Sequence, residues 1–206
     1  MARDTSSIVK QSRREGYALH PKAHKALIKR TSPPGQQSGG RQYRAKASQY
    51  SLQLREKQKV KRLYGLLERQ FAKLMVEAAR RPGQSGATLM EYLERRLDNV
   101  IYRAGLAVSR RAASQLVSHG HFLLNDQRVN VPSIRVKAGD IISLRPHGLQ
   151  TDYFKRLADV SPAPAAIPKW LSVDRKKCQV KISGLPVRED AEADIKEQLI
   201  VEYYSR

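Results

Sequence analysis

Two neighbouring stretches, LERRLDNVIYRAG (Leu93–Gly105) and SRRAASQLVSHGHFLLNDQRVNV (Ser109–Val131), hold the pattern that decides the fold. Leu93, Leu97, Val100, Ile101 and Ala104 recur at the spacing of one helix face. Thr88 and Glu91 have capping-box spacing, so this helix is predicted to open at Thr88 and stop at Gly105. The next helix is predicted to start at Ser109 as N-cap, bury Ala112, Ala113, Leu116 and Val117, and end at Gly120. From Phe122 the period becomes that of strands: Phe122-Leu123-Leu124, a turn at Asn125-Asp126-Gln127, then Arg128 to Val131.

Outward from there, Val60, Leu63, Tyr64, Leu67, Phe71, Leu74, Met75 and Ala78 mark one long amphipathic helix or a closely spaced pair, ended by Pro82-Gly83. Residues 1–44 mix basic pairs with turn formers, and the Pro/Gly-rich run Ser32 to Gly40 suits an extended basic arm ordered by what it binds. On the C-terminal side, Gly139-Asp140 turns into a strand at Ile141–Leu144. Residues 158–168 read as a connection, and Trp170–Val173 and Gln179–Ile182 as strands. A final helix with an acidic start is predicted from Glu189.

The chain of 206 residues carries 39 Lys and Arg against 19 Asp and Glu, a formal charge of +20. Residues 1–93 hold 20 basic and 6 acidic side chains, residues 94–185 hold 16 and 7, and residues 186–206 hold 3 and 6. So local an excess points to a polyanion, because each phosphate neutralised by Lys or Arg releases condensed counterions. Membrane insertion is not expected: the longest stretch without a charged side chain, Ala112 to Asn125, is shorter than the roughly 18 apolar residues a span needs. Nothing after Met1 reads as a secretory signal, so a cytoplasmic location is expected. The single cysteine, Cys178, fits a small buried residue in a strand.

QLREKQKVKRLYGLLERQF (Gln53–Phe71), the two stretches above, and ADIKEQLIVEYYS (Ala193–Ser205) closely resemble the bacterial family of small-subunit ribosomal protein four, as do SRREG (Ser12–Gly16), PPGQ (Pro33–Gln36) and PKWL (Pro168–Leu171). The likeness runs in order along nearly the whole chain. It implies an α+β fold, with a mainly helical domain (45–92, completed by 186–206), a small RNA-binding domain of helices packed on an antiparallel sheet (93–185), and the arm (1–44). It also implies direct binding to small-subunit rRNA at a junction of the 5′ domain, nucleating assembly, with neighbouring ribosomal proteins and mRNA as partners at the mRNA entrance and an influence on decoding accuracy. The alternative is a regulatory RNA binder or translational repressor acting off the ribosome. Some relatives hold zinc on four arm cysteines; this arm has none, and His20 and His24 are too few for a closed site, so no metal or cofactor is expected.

Two rRNA faces are expected from the basic clusters, since Arg forks suit paired phosphate oxygens. One comprises Arg95, Arg96, Arg103, Arg110 and Arg111 with Gln115, His119 and His121; the other Arg55, Lys57, Lys59, Lys61, Arg62 and Arg69, with Arg13 and Arg14 in the arm. Arg41, Arg44 and Lys46 are candidates for touching incoming mRNA. Tyr43 and Tyr50 suit base stacking, Tyr64 and Tyr102 the core. Arg96-Leu97-Asp98 imitates the catalytic tripeptide of pseudouridine synthases. Asp98, however, falls within a helix of periodic apolar residues and the chain has no room for a catalytic domain, so neither catalysis nor a small-molecule substrate is expected. The acidic tail is expected to pack against the basic helix, with part of it facing a protein neighbour.

Overall fold

The computed structural model describes residues 4–30, 32–35, 48–162, 164 and 166–205. The chain divides into two compact units, Met1–Gly86 together with Asp194–Arg206, and Ala87–Ala193.

The first unit is helical. The periodic stretch resolves into a pair, α3 (Gln49–Leu63) and α4 (Glu68–Ala79), parted at Gly65, whose φ of 68° is left-handed. Leu66 N–H closes back on the Lys61 carbonyl, the Schellman arrangement that satisfies the last carbonyls of a helix. Val60, Leu63, Tyr64, Phe71, Met75 and Ala78 form the buried seam. The arm contains α1 (Ile8–Glu15) and α2 (His24–Lys29), so it is not simply extended. Two long-range ties explain the difference: Leu19 and Ala23 are buried, and the Glu15 carboxylate receives Arg55 and Arg62 from α3. The C-terminal helix α11 (Glu197–Tyr204) begins eight residues later than its acidic run suggests, because Lys196 N–H donates to Glu56 Oε1 (2.9 Å) and the Asp194 carbonyl accepts from Lys59 Nζ (2.7 Å). Those bonds hold residues 194–196 along α3. Arg188–Asp190 forms only a single 3-10 turn.

The second unit packs helices on a five-stranded antiparallel sheet of order β2-β1-β3-β5-β4, with β1 (Phe122–Leu124), β2 (Gln127–Val129), β3 (Ile141–Leu144), β4 (Leu171–Asp174) and β5 (Gln179–Ile182). The β1–β2 hairpin turns on Asn125 and Asp126, with φ of 49° and 65°, the type I′ geometry that matches strand twist. Asn125 also ties the turn to the next strand, donating to Asp140 Oδ1 and accepting from Ile141 N–H, each at 2.9 Å.

The helix expected from Thr88 to Ala104 is two helices, α5 (Ser85–Glu94) and α6 (Leu97–Arg103). Backbone from residues 132–136 interrupts it: Leu97 N–H donates to the Ile134 carbonyl (2.8 Å), Asp98 N–H to that of Pro132 (3.2 Å), and Arg95 accepts from Val136 N–H (3.0 Å). With those groups paired outside the helix, Arg96 is extended, at ψ 135°. α7 (Arg110–Ser118) is capped as expected, Ser109 Oγ accepting from Ala112 N–H at 3.2 Å. Three short helices, α8 (Pro146–Leu149), α9 (Asp152–Lys155) and α10 (Leu157–Val160), were not legible from periodicity, and α10 takes the start of the expected connection. Phe154 and Leu157 seat them, Phe154 meeting Phe122 edge-on at 5.9 Å. Leu97, Val100, Ile101, Val117, Ile142, Val180 and Ile182 complete the core. Cys178 is buried, but in the turn before β5 at φ 49° and not in the strand; burial raises its thiol pKa.

Candidate nucleic-acid interface

The side chains that carry the positive charge fall into two groups, those already engaged within the protein and those presented to solvent. The second group has its charge uncompensated and its donors fully open to a phosphate.

In the helical unit most of the expected α3 cluster is engaged. Lys57 is 3% exposed, its Nζ 2.8 Å from Glu68 Oε1 and 4.6 Å from the centroid of the Tyr203 ring, which corrects its expected place on an RNA face. Lys61 reaches the other oxygen of Glu68 at 2.9 Å, and the Tyr204 hydroxyl donates to Oε1 at 2.9 Å. Burial alone would raise the Glu68 pKa, but the hydrogen bonds from Lys57, Lys61 and Tyr204 outweigh it and hold the group down at about 2. Lys59 pairs with Glu56 at 2.8 Å. Arg55 and Arg62 share the buried Glu15, whose pKa burial raises despite both cations. Arg13 donates to the Ser32 carbonyl at 2.9 and 3.1 Å, whereas Arg14 and Arg69 are exposed. Tyr50 is 48% exposed and rests 5.9 Å from the Tyr203 ring; Tyr64 is in the core. Arg41, Tyr43, Arg44 and Lys46 lie outside the described residues.

In the second unit, Glu94 is the hub of a buried polar network. Arg103 grips it with both arms of its fork (3.1 and 2.9 Å), and Asn99 Nδ2 donates to the same carboxylate at 2.7 Å. Arg110 donates to Asn99 Oδ1 (2.8 Å) and Glu192 Oε1 (3.0 Å) and covers the half-buried Tyr102 ring at 4.6 Å. Arg96 forks onto Asp98 at 3.1 and 2.8 Å; Arg95 is held by Glu91 (2.8 Å) and the Val136 carbonyl (2.9 Å). Burial raises the Asp98 pKa against the pull of Arg96. Asp98 therefore supports the start of α6 and is packed away from solvent, with no access for a substrate. Four of the five arginines expected on this RNA face thus have their forks committed inside the unit.

What remains outward is a row along α7. Arg111, Gln115 and His119 are all exposed at i, i+4 and i+8, opposite the buried Ala113 and Val117. His121 continues the row, its ring 6.1 Å from that of His119; burial, then the charges of His119, His147 and Arg145, lower its pKa. Arg128 on β2 extends under the end of α7: a Cβ on Gly120 would stand 2.8 Å from its Nε. Arg128, Arg145 and His147 escaped the sequence reading. An outward place in a strand could have marked Arg128, but Arg145 and His147 flank Pro146 where no periodicity guides the eye.

Among the described residues, a cationic row open to solvent on a helix-and-sheet module defines a protein of the nucleic-acid-binding class. Residues 3–94 match the family model of the ribosomal protein S4/S9 N-terminal domain, and residues 95–142 that of the S4 domain. Similar proteins include the small ribosomal subunit proteins uS4 of Clostridioides difficile (47% identical over 212 residues) and Chloroflexus aurantiacus (47% over 207), and uS4A of Symbiobacterium thermophilum (42% over 212), each alignment covering 100% of both chains. The chain belongs to the ribosomal protein S4 family. It is accordingly a structural ribosomal protein with an RNA-binding domain, and not an enzyme.

Proposed function

We propose that this chain is a component of the small ribosomal subunit in the cytoplasm that binds 16S rRNA directly, nucleating assembly at a helix junction of the 5′ domain. The observation that carries the reading is the α7 row. Arg111, Gln115 and His119 point outward, with Arg128 at its end, while the neighbouring arginines are spent on Glu94, Asp98 and Glu192. A-form RNA hides its base edges in a deep groove, so a fixed row of donors on a rigid helix suits backbone and 2′-hydroxyl recognition.

Hydroxyl-radical footprinting of the full chain on naked small-subunit rRNA tests this. Discrete protection at one 5′-domain junction, weakened by Arg111→Gln with Arg128→Gln, is the expected result; diffuse protection that those substitutions leave unchanged would refute it. Contact with neighbouring ribosomal proteins and with mRNA at its entrance, through Arg41, Arg44 and Lys46, and an influence on accuracy, extend the proposal. Replacing those three by Ala should impair unwinding of structured mRNA.

A further inference from the structure

We infer that Glu192 is a specificity-determining residue: its carboxylate fills an anion seat between Arg103 and Arg110 and so denies that seat to the phosphates of unrelated RNA. The inference rests on the reading of the chain as an rRNA binder and deepens it by naming a residue that keeps the interface selective. A single oxygen, Glu192 Oε1, stands 3.0 Å from Arg110 Nη2 and 3.5 Å from Arg103 Nη2. One anionic oxygen shared by two guanidinium groups is an arrangement that a phosphate oxygen also adopts between arginines. The seat opens to solvent, since the Glu192 side chain is 27% exposed, whereas the Glu94 carboxylate that grips Arg103 is 1% exposed.

Charge explains why the seat needs filling. Two guanidinium groups meet two carboxylates, Glu94 and Glu192, so the cluster is neutral as it stands; without the charge of Glu192 it would carry an uncompensated cation beside the open α7 row. Such a cation attracts any phosphate, because backbone contacts carry no sequence information. Arg110 and Arg111 are consecutive on α7 and leave the helix about 100° apart, Arg110 toward Asn99 and Glu192, Arg111 toward solvent. An RNA junction whose register is set by the outward row presents its phosphates there and not at the seat, whereas an unrelated RNA, free to bind in any register, takes the seat as well. The backbone holds Glu192 in position independently of its ion pairs: its carbonyl accepts from Arg188 Nη1 at 3.4 Å, and the preceding Ala191 is buried. Removing the charge of the side chain therefore leaves the segment that presents it in place.

The test compares full-length E192Q with the wild-type chain on naked small-subunit rRNA and on large-subunit rRNA, by affinity, by footprint and by the slope of log affinity against log salt. On large-subunit rRNA, E192Q should bind about 5- to 8-fold more tightly at about 0.1 M salt and steepen the slope by about 0.7–0.9, the share of one neutralised phosphate. On small-subunit rRNA its affinity and footprint should be unchanged, so that discrimination falls by the gain on the unrelated RNA. The double variant E192Q/R110Q should lose that gain, because the seat itself is gone. Wild-type affinity and slope for E192Q on large-subunit rRNA would overturn the proposal, as would an equal gain on both RNAs. Weaker binding to both, with a lowered melting midpoint, would overturn it too and make Glu192 a structural tie instead. If the wild-type chain shows no preference for small-subunit rRNA, it is the underlying reading of rRNA binding that fails.

Discussion

Glu94→Gln is the sharpest probe of the division between structural and available cations. The carboxylate of Glu94 is 1% exposed and receives three hydrogen bonds, two from the Arg103 fork and one from Asn99. The amide keeps the shape, removes the charge and turns two donors toward groups that are themselves donors. Removing one partner of a buried ion pair costs about 3–5 kcal/mol, because the remaining charge is left buried. Arg103 is 18% exposed and has Glu192 at 3.5 Å as a second partner. Some relaxation toward Glu192 and water lowers the expected cost to about 2–3 kcal/mol. For a unit of roughly 100 residues, each kcal/mol shifts the midpoint by about 4–8 °C, so the thermal unfolding transition should fall by about 10–20 °C. The assay is circular dichroism melting of the full chain, with Arg103→Gln and the double variant closing a thermodynamic cycle. Arg103→Gln should lower stability while leaving the salt slope of RNA binding unchanged, and Arg111→Gln should do the reverse. An Arg103→Gln protein with normal melting and a slope reduced by about 1 would refute the assignment of Arg103 to the internal network.

Glu68 titrates at about 2 in the folded chain against an ordinary 4.5. A depressed carboxylate contributes stability above its unfolded pKa and loses it as pH falls through the folded one. The midpoint of the wild-type chain should therefore decline more steeply than that of Glu68→Gln between pH 4.5 and about 2, followed by melting at successive pH values. Glu15 and Asp98, whose pKa values are raised, act in the opposite direction in both proteins and cancel in the comparison. Gly105→Ala meets two obstacles: φ is +71°, and the new Cβ would stand 2.5 Å from Cδ of Pro164. Urea unfolding should show a loss of about 2–3 kcal/mol, from left-handed strain plus the displaced ring.

Local order was largely legible in the sequence because its causes are local. Ser109 caps α7 from three residues away, Gly120 stops that helix by adopting positive φ, and Asn125-Asp126 turns the hairpin by itself. Periodicity marked the seams of α3, α4, α6 and α7 for the same reason. The misreadings share an opposite cause. Backbone from residues 132–136 splits α5 from α6, Glu56 and Lys59 hold residues 194–196 out of α11, and Phe154 seats helices that have no period of their own.

Charge shows the limit most clearly. The sequence by itself determined that the chain is strongly basic, with an acidic tail, and so has a polyanionic partner. Which cations are available for that partner was decided only by the tertiary structure, because ion pairing joins residues far apart in the chain. Arg110 and Glu192 are 82 positions apart, and Arg62 and Glu15 are 47. A side chain paired with a carboxylate inside the unit has exchanged part of its water for that partner and has much of its charge compensated there, whereas Arg111 on an open helix face keeps its fork in solvent. No count of arginines along a sequence distinguishes the two; only the packed fold does.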